Sequence, residues 1–207
     1  MKIDEGTMFD RLYNKLREAN QLRRNNQFQE AVTIYREYIQ QEDQPVEFLT
    51  IISHLTFRMA FQNPDQAEEL LVQATEAINE ALAIEPNNPL LRLHLAEIYN
   101  LGTLEYELAA QEYRAIIELN PQNVSALIGA ASLYGLPEKV VSLEEATSWM
   151  RKATELESTN PQHYIRLGSL YKEGNQLREA QWAWLKALLC PEPLESDDVK
   201  SITAQIV

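Results

Sequence analysis

Residues 161–191 read PQHYIRLGSLYKEGNQLREAQWAWLKALLCP. Asn160 precedes the stretch and suits a helix cap, with proline at the first helical position. Leu167 and Gly168 are followed three residues on by Tyr171, and Ala180 is followed at spacings of four and then three by Trp184 and Ala187. Both spacings keep side chains on one face of an α-helix. Glu173-Gly174-Asn175-Gln176 between them is a short polar turn. The stretch reads as two helices folded on one another, with small residues where their backbones approach.

The second-helix pattern recurs as Ala31/Tyr35/Tyr38, Ala67/Leu71/Ala74, Ala109/Tyr113/Ile116 and Ala146/Met150/Ala153. The first-helix pattern recurs as Leu95-Ala96 with Tyr99 and Ala130-Ala131 with Tyr134, and in weaker form as Ala19 with Leu22. The alanine ladder advances by 36, 42, 37 and 34 residues between Ala31, Ala67, Ala109, Ala146 and Ala180. The long step has an in-phase alternative, Ala74/Ile78/Ala81, lying 35 before Ala109. One helix from about Pro64 to Ile84, longer than its counterparts by roughly two turns, accommodates both sets. A repeat of this length marks stacked supersecondary units.

Asn63-Pro64, Asn88-Pro89 and Asn160-Pro161 mark helix starts, and at Asn120-Pro121-Gln122-Asn123 either asparagine serves as cap. Val46–Phe61 has no small/aromatic pair, so its helical phase stays open. The turn Gly135–Ser142 is about three residues longer than its counterparts. Beyond Pro191, Ser196 is placed to cap a last helix with Val199, Ile202 and Ile206 on one stripe, which would cover the open edge of the final hairpin.

These residues resemble the tetratricopeptide repeat, a helix–turn–helix unit of about 34 residues. Pro86, Pro121 and Pro191 stand near the family's terminal proline, with Ser158 in its place in the fourth unit. The resemblance covers about residues 8–191 and is clearest in the last three units. It implies an all-α, right-handed superhelix of about five hairpins (8–45, 46–87, 88–121, 122–159 and 160–193) between a flexible segment 1–7 and a capping helix 194–207.

The net charge of −13 is unevenly placed. Residues 1–40 carry seven Lys/Arg against six Asp/Glu, which leaves eleven against twenty-five, a balance of −14, for residues 41–207. Such a surface repels nucleic acid and anionic membranes. No apolar run approaches the ~20 residues that span a bilayer, and Met1–Gly6 is polar, so a cytoplasmic protein with no direct membrane insertion is expected. Cys190 is the single cysteine. His54, His94 and His163 form no H-x-x-x-H pair, so no metal site is expected, and each reads as a packing or surface residue. Neighbouring carboxylates such as Glu144-Glu145 and Asp197-Asp198 diverge by about 100° on a helix and suit helix starts better than proton-sharing dyads. Phosphate-loop and nucleophile-elbow motifs are absent from the sequence. Neither catalysis nor a cofactor is expected.

The resemblance implies that the first helix of each hairpin lines a concave groove for another polypeptide. Counting from the packing pattern leaves Tyr13, Leu16, Arg17, Asn20 and Arg24 free on the first such helix, and Leu90, Leu93, Glu97 and Asn100 on the third. Ser125, Ile128 and Ser132 follow on the fourth, and Gln162, Ile165, Arg166, Ser169 and Lys172 on the fifth. The mixture suits an extended strand or a helix with apolar anchors. Relatives that grip a chaperone's acidic tail use paired lysine, arginine and asparagine. Asn20 matches one such position, but Leu16, Ser125 and Gly129 stand where the basic partners belong, so that clamp is expected to be missing. The expected function is a protein-binding scaffold or assembly factor, with a dedicated chaperone or a permanent structural subunit as alternatives.

Overall fold

The computed structural model describes residues 5–39 and 45–206, with side chains from residue 14 onward. Residues 1–4 of the expected flexible segment lie outside the described residues, whereas residues 5–7 already belong to a helix. Among the described residues the regular structure is helical throughout: eleven α-helices, a 3-10 turn at Pro64–Gln66 and a π-helical segment at Ile98–Thr103. The chain forms two compact units, Met1–Leu104 and Glu105–Val207.

The first unit holds α1 (Glu5–Arg24), α2 (Phe28–Ile39), α3 (Pro45–Gln62), α4 (Ala67–Ile84) and α5 (Pro89–Glu97). At the α1–α2 turn Asn26 takes a left-handed φ of 62°, and Gln27 N–H donates to the Leu22 carbonyl at 2.9 Å. This is the helix-ending motif that glycine usually supplies, with asparagine tolerating the left-handed well. Ala19, Ala31, Tyr35, Ile52, Ala74, Ile78 and Ala81, at most 1% exposed, form one core cluster with Leu91 and Leu95.

In α4, Ala74, Ile78 and Ala81 are fully buried, while Ala67 and Leu71 are only half-buried. The ladder therefore runs through the in-phase set, and the α3–α4 hairpin is the long one. Ser53 and Ala74 are 21 residues apart, against 12 for Ala19–Ala31 and for Gly168–Ala180. The nine extra residues lengthen the end of α3 and the start of α4. Asn63 does not cap this start as expected; its side-chain amide instead turns back to donate to the Met59 carbonyl at 3.0 Å.

Ala96 and Ala109 are 13 apart, one more than in the regular hairpins. A single extra residue in a helix is absorbed as a wider π turn, and the π-helical segment directly follows α5. It packs on the lengthened hairpin: a Cβ on Gly102 would lie 2.6 Å from Leu71 Cδ2 and 3.0 Å from Phe57 Cε2.

The second unit holds α6 (Tyr106–Leu119), α7 (Val124–Ser132), α8 (Leu143–Leu156), α9 (Pro161–Glu173), α10 (Leu177–Leu188) and α11 (Ser196–Ile206). Gly129 abuts the Tyr113 ring and Gly168 abuts the Trp184 indole, each too close for a Cβ. Asn123 rather than Asn120 caps α7, accepting from Ala126 N–H, while Asn88 and Asn160 cap α5 and α9 as expected.

The long turn before α8 is held from within. Ser142 and Glu145 form a reciprocal capping box, and Arg114 donates to the Val140 carbonyl at 2.9 Å and to Glu145 Oε1 at 3.0 Å. Hydrogen bonds from Ser142, foremost its backbone N–H, and the Arg114 pairing lower the Glu145 pKa. The α11 helix closes the last hairpin. Ile202, 2% exposed, joins Tyr164, Ala180, Trp184 and Ala187, whereas Val199 remains 38% exposed. Gln162 donates to Asp198 at 2.8 Å, fixing α11 against α9.

Candidate functional site

Two clefts open on first helices, one in each unit. In the first unit the phase of α3 is set by Ile52, Ser53 and Thr56, which are buried. The Ser53 hydroxyl donates to the Ala74 carbonyl at 2.8 Å, tying α3 to α4. With that face inward, His54, Phe57, Arg58 and Phe61 share another face, at spacings of three, four and seven. They line a cleft of about 690 Å³ together with Arg23, Arg24, Asn26, Phe28 and Glu97. Phe57 and Phe61 meet edge to face at 5.1 Å between centroids, and the Arg58 guanidinium lies 5.0 Å from the Phe28 ring centroid. Phe61 is 59% exposed.

A stacked pair of imidazoles borders this cleft. His54 and His94 lie 3.6 Å apart between centroids at an interplanar angle of 28°. His94 is 3% exposed, and its Nε2 is 2.9 Å from Ser53 Oγ. The single serine proton goes to Ala74, so His94 must donate through Nε2–H. Its Nδ1 then has no hydrogen-bond partner among the described residues and lies 3.9 Å from Glu97 Oε2. Desolvation, and second the neighbouring His94, lower the His54 pKa to about 4, with Glu97 opposing. Over a third of the His54 surface is nevertheless open to water; its stacked face accounts for the desolvation, and screening through the open side moderates the effect.

In the second unit Ser132 at the end of α7, Tyr134 in the turn after it, and Ile165, Arg166, Ser169 and Glu173 from α9 line a cleft of about 380 Å³. Another cleft, about 720 Å³, lies off the first-helix face, between the start of α8 and the α9–α10 turn, with Glu144, Arg151, Tyr171 and Glu179 in its wall. Among the described residues no His/Cys/Asp/Glu group is arranged to hold a metal ion, and no helix is long and apolar enough to cross a membrane. Burial raises the Cys190 thiol pKa, which disfavours a reactive thiolate.

No protein-family model and no curated protein matches the sequence. Solved structures match over most of the chain. A crystal structure of MamA aligns with a TM-score of 0.67 at 14% identity, covering 90% of this chain and 96% of that one. MamA residues 41 to the end from Desulfovibrio magneticus RS-1 align at 0.66 and 17%, covering 87% and 95%. A thermophilic tetratricopeptide-repeat protein of Thermus thermophilus aligns at 0.57 and 20%, covering 94% and 98%. The chain has the tetratricopeptide-repeat fold.

Within that tetratricopeptide-repeat frame, Ser132, Ile165, Arg166 and Ser169 converge on one cleft, and Arg24 and Glu97 on the other. Arg17 is exposed, and Leu93, Asn100 and Ile128 are half-buried outside both lining sets. Leu16 packs against the core cluster. Asn20 is held inside its hairpin, its amide donating to the Leu16 carbonyl at 3.0 Å and its Oδ1 accepting from the Tyr35 hydroxyl at 3.3 Å. Lys172 donates to Gln205 on α11 at 3.0 Å. The Tyr13 side chain lies outside the described residues. His54, Phe57, Arg58 and Phe61 were not legible as site residues, because Ser53 and Thr56 replace the small and aromatic residues that mark the phase elsewhere.

Proposed function

We propose that this chain is a non-catalytic protein-binding module, a scaffold or assembly factor that holds a partner segment against its first helices. The observation that supports the reading is the pair of clefts in which first-helix side chains outside the buried core come together, Arg58 and Phe61 in one unit and Ile165 and Arg166 in the other. Mixed apolar and charged walls suit polypeptide side chains better than a small metabolite, which needs a more enclosed pocket. A single, half-buried cysteine can form no internal disulfide and suits a reducing compartment, and we propose the cytoplasm on that basis.

The test is crosslinking with partner identification from native lysate, using wild type, Arg58→Ala/Phe61→Ala and Ile165→Ala/Arg166→Ala. The reading expects the same partners to be lost from one or both variants while helical content is retained. Unchanged recovery with both would refute the first-helix faces as the site.

A further inference from the structure

The chain holds 31 Asp and Glu against 18 Lys and Arg, so an arginine without an acidic neighbour is conspicuous. Arg23, Arg24 and Arg58 line the same cleft, and none is in an ion pair among the described residues. Arg23 and Arg24 stand in the last turn of α1, where a cation opposes the negative helix end. Arg58 has no such local reason, since it lies a full turn inside α3. Its guanidinium carbon lies over the Phe28 ring, 5.0 Å from the centroid, a contact that consumes no N–H hydrogen bond and leaves those donors for a carboxylate. The adjoining wall is aromatic and open: Phe61 is 59% exposed and Phe57 stands edge-on to it. Glu97 is the one carboxylate among the described lining residues, and its Oε2 faces His94 Nδ1 at 3.9 Å.

We infer that this cleft receives an acidic polypeptide segment with an aromatic or large aliphatic anchor, carboxylates meeting Arg24 and Arg58 and the anchor resting on Phe57 and Phe61. The inference rests on the protein-binding reading and adds the chemistry of the partner. Charge complementarity selects the occupant: residues 41–207 carry a balance of −14, which disfavours an acidic chain over most of the surface, whereas this cleft sets three arginines against one carboxylate. The bound segment is therefore short. The arginines involved are not at the positions where the chaperone-tail clamp is missing.

The experiment uses the full chain and a fluorescein-labelled peptide alternating glutamate with phenylalanine, read by fluorescence anisotropy. Saturable binding is expected, weakened at least about tenfold by Arg24→Glu/Arg58→Glu and about as much by raising salt from about 50 to about 500 mM. Phe61→Ser is expected to weaken binding about threefold to tenfold. These residues are exposed or edge the cleft, and an unchanged melting curve by circular dichroism checks that each variant is folded. A lysine-for-glutamate peptide that binds equally well, or a glutamate peptide indifferent to the double reversal, would overturn the inference. So would self-association of the wild type that the double reversal abolishes, because a second copy would then be the occupant. Failure here is separable from failure of the broader reading. Partner capture that depends on Ile165 and Arg166 but ignores Arg58 would leave the module standing and remove the acidic segment.

Discussion

At the crossing of α9 and α10 a glycine admits an indole, whereas at the crossing of α3 and α4 a serine hydroxyl reaches the opposing backbone. Gly168 lies against Trp184, which is 3% exposed, and the fit is one of shape alone. Ser53 is 0% exposed and donates to the Ala74 carbonyl while accepting from His94. The two hairpins have the same roles in the fold. One is held by small-against-large packing, the other by a buried hydrogen bond that also reaches the next first helix. The same α3–α4 hairpin carries nine extra residues, stacks a histidine on one from the next first helix and borders the basic, aromatic cleft. Regular packing leaves a hairpin structurally legible; the departure from it is where the distinctive chemistry gathers.

This comparison breaks most readily at Trp184. Trp184→Ala is expected to cost about 3–5 kcal/mol in urea unfolding, because the cavity is lined by α9 and α11 side chains that cannot both collapse into it. A loss below about 1 kcal/mol would show that shape complementarity does not hold the last hairpin. Gly168→Ala probes the same contact from the other side and is expected to cost about 1–3 kcal/mol by overpacking.

On the polar side, Ser53→Ala strands the His94 Nε2–H and should cost about 1–3 kcal/mol. A double-mutant cycle with His94→Phe is expected to return a coupling above about 0.5 kcal/mol, and additivity would show that Ser53 and His94 act independently.

Acid sharpens the contrast further. The folded-state pKa of His54 is lowered to about 4, and burial also lowers that of His163, with Glu157 opposing. Between the ordinary histidine value near 6.5 and about 4 the unfolded chain binds more protons than the folded one at these sites, so stability falls as pH falls through that window. His54→Asn is expected to flatten the decline seen in melting curves between about pH 6.5 and about pH 4. An unaltered slope would mean that water around the exposed part of His54 cancels the effect of the stacked face.

The smallest effect expected concerns the caps. Asn160→Ala should cost about 1 kcal/mol, since its side chain accepts from Gln162 N–H, and Asn63→Ala less than half as much, since the Asn63 side chain accepts no helix N–H and donates only to a Met59 carbonyl that the backbone already satisfies. Equal losses would remove the distinction.

The helical fold was legible because Ala180, Trp184, Tyr171 and their counterparts repeat at fixed intervals that only stacked hairpins satisfy. Asn88, Asn160 and the stripe through Ile202 were legible for equally local reasons. The register of α4 was not, because alanines at 67, 74 and 81 all fit one helical face and only burial separates them. The π-helical segment left a trace in the 13-residue spacing from Ala96 to Ala109, but a one-residue excess is shared by many loop changes. Of the site, Arg24, Glu97, Ser132, Ile165, Arg166 and Ser169 were reached by counting from a visible pattern. The α3 contribution was invisible since its marker residues are polar, and Asn20 looked free because its bond to Tyr35 joins residues 15 apart.

Site-specific photo-crosslinking in living cells tests the central claim most directly, with the reactive group placed in turn at positions 58, 61, 166 and 169 on first helices and at 119 and 156 on second helices. Partner adducts from the first-helix positions and none from 119 or 156 are the expected result. Adducts confined to 119 and 156 would contradict the account.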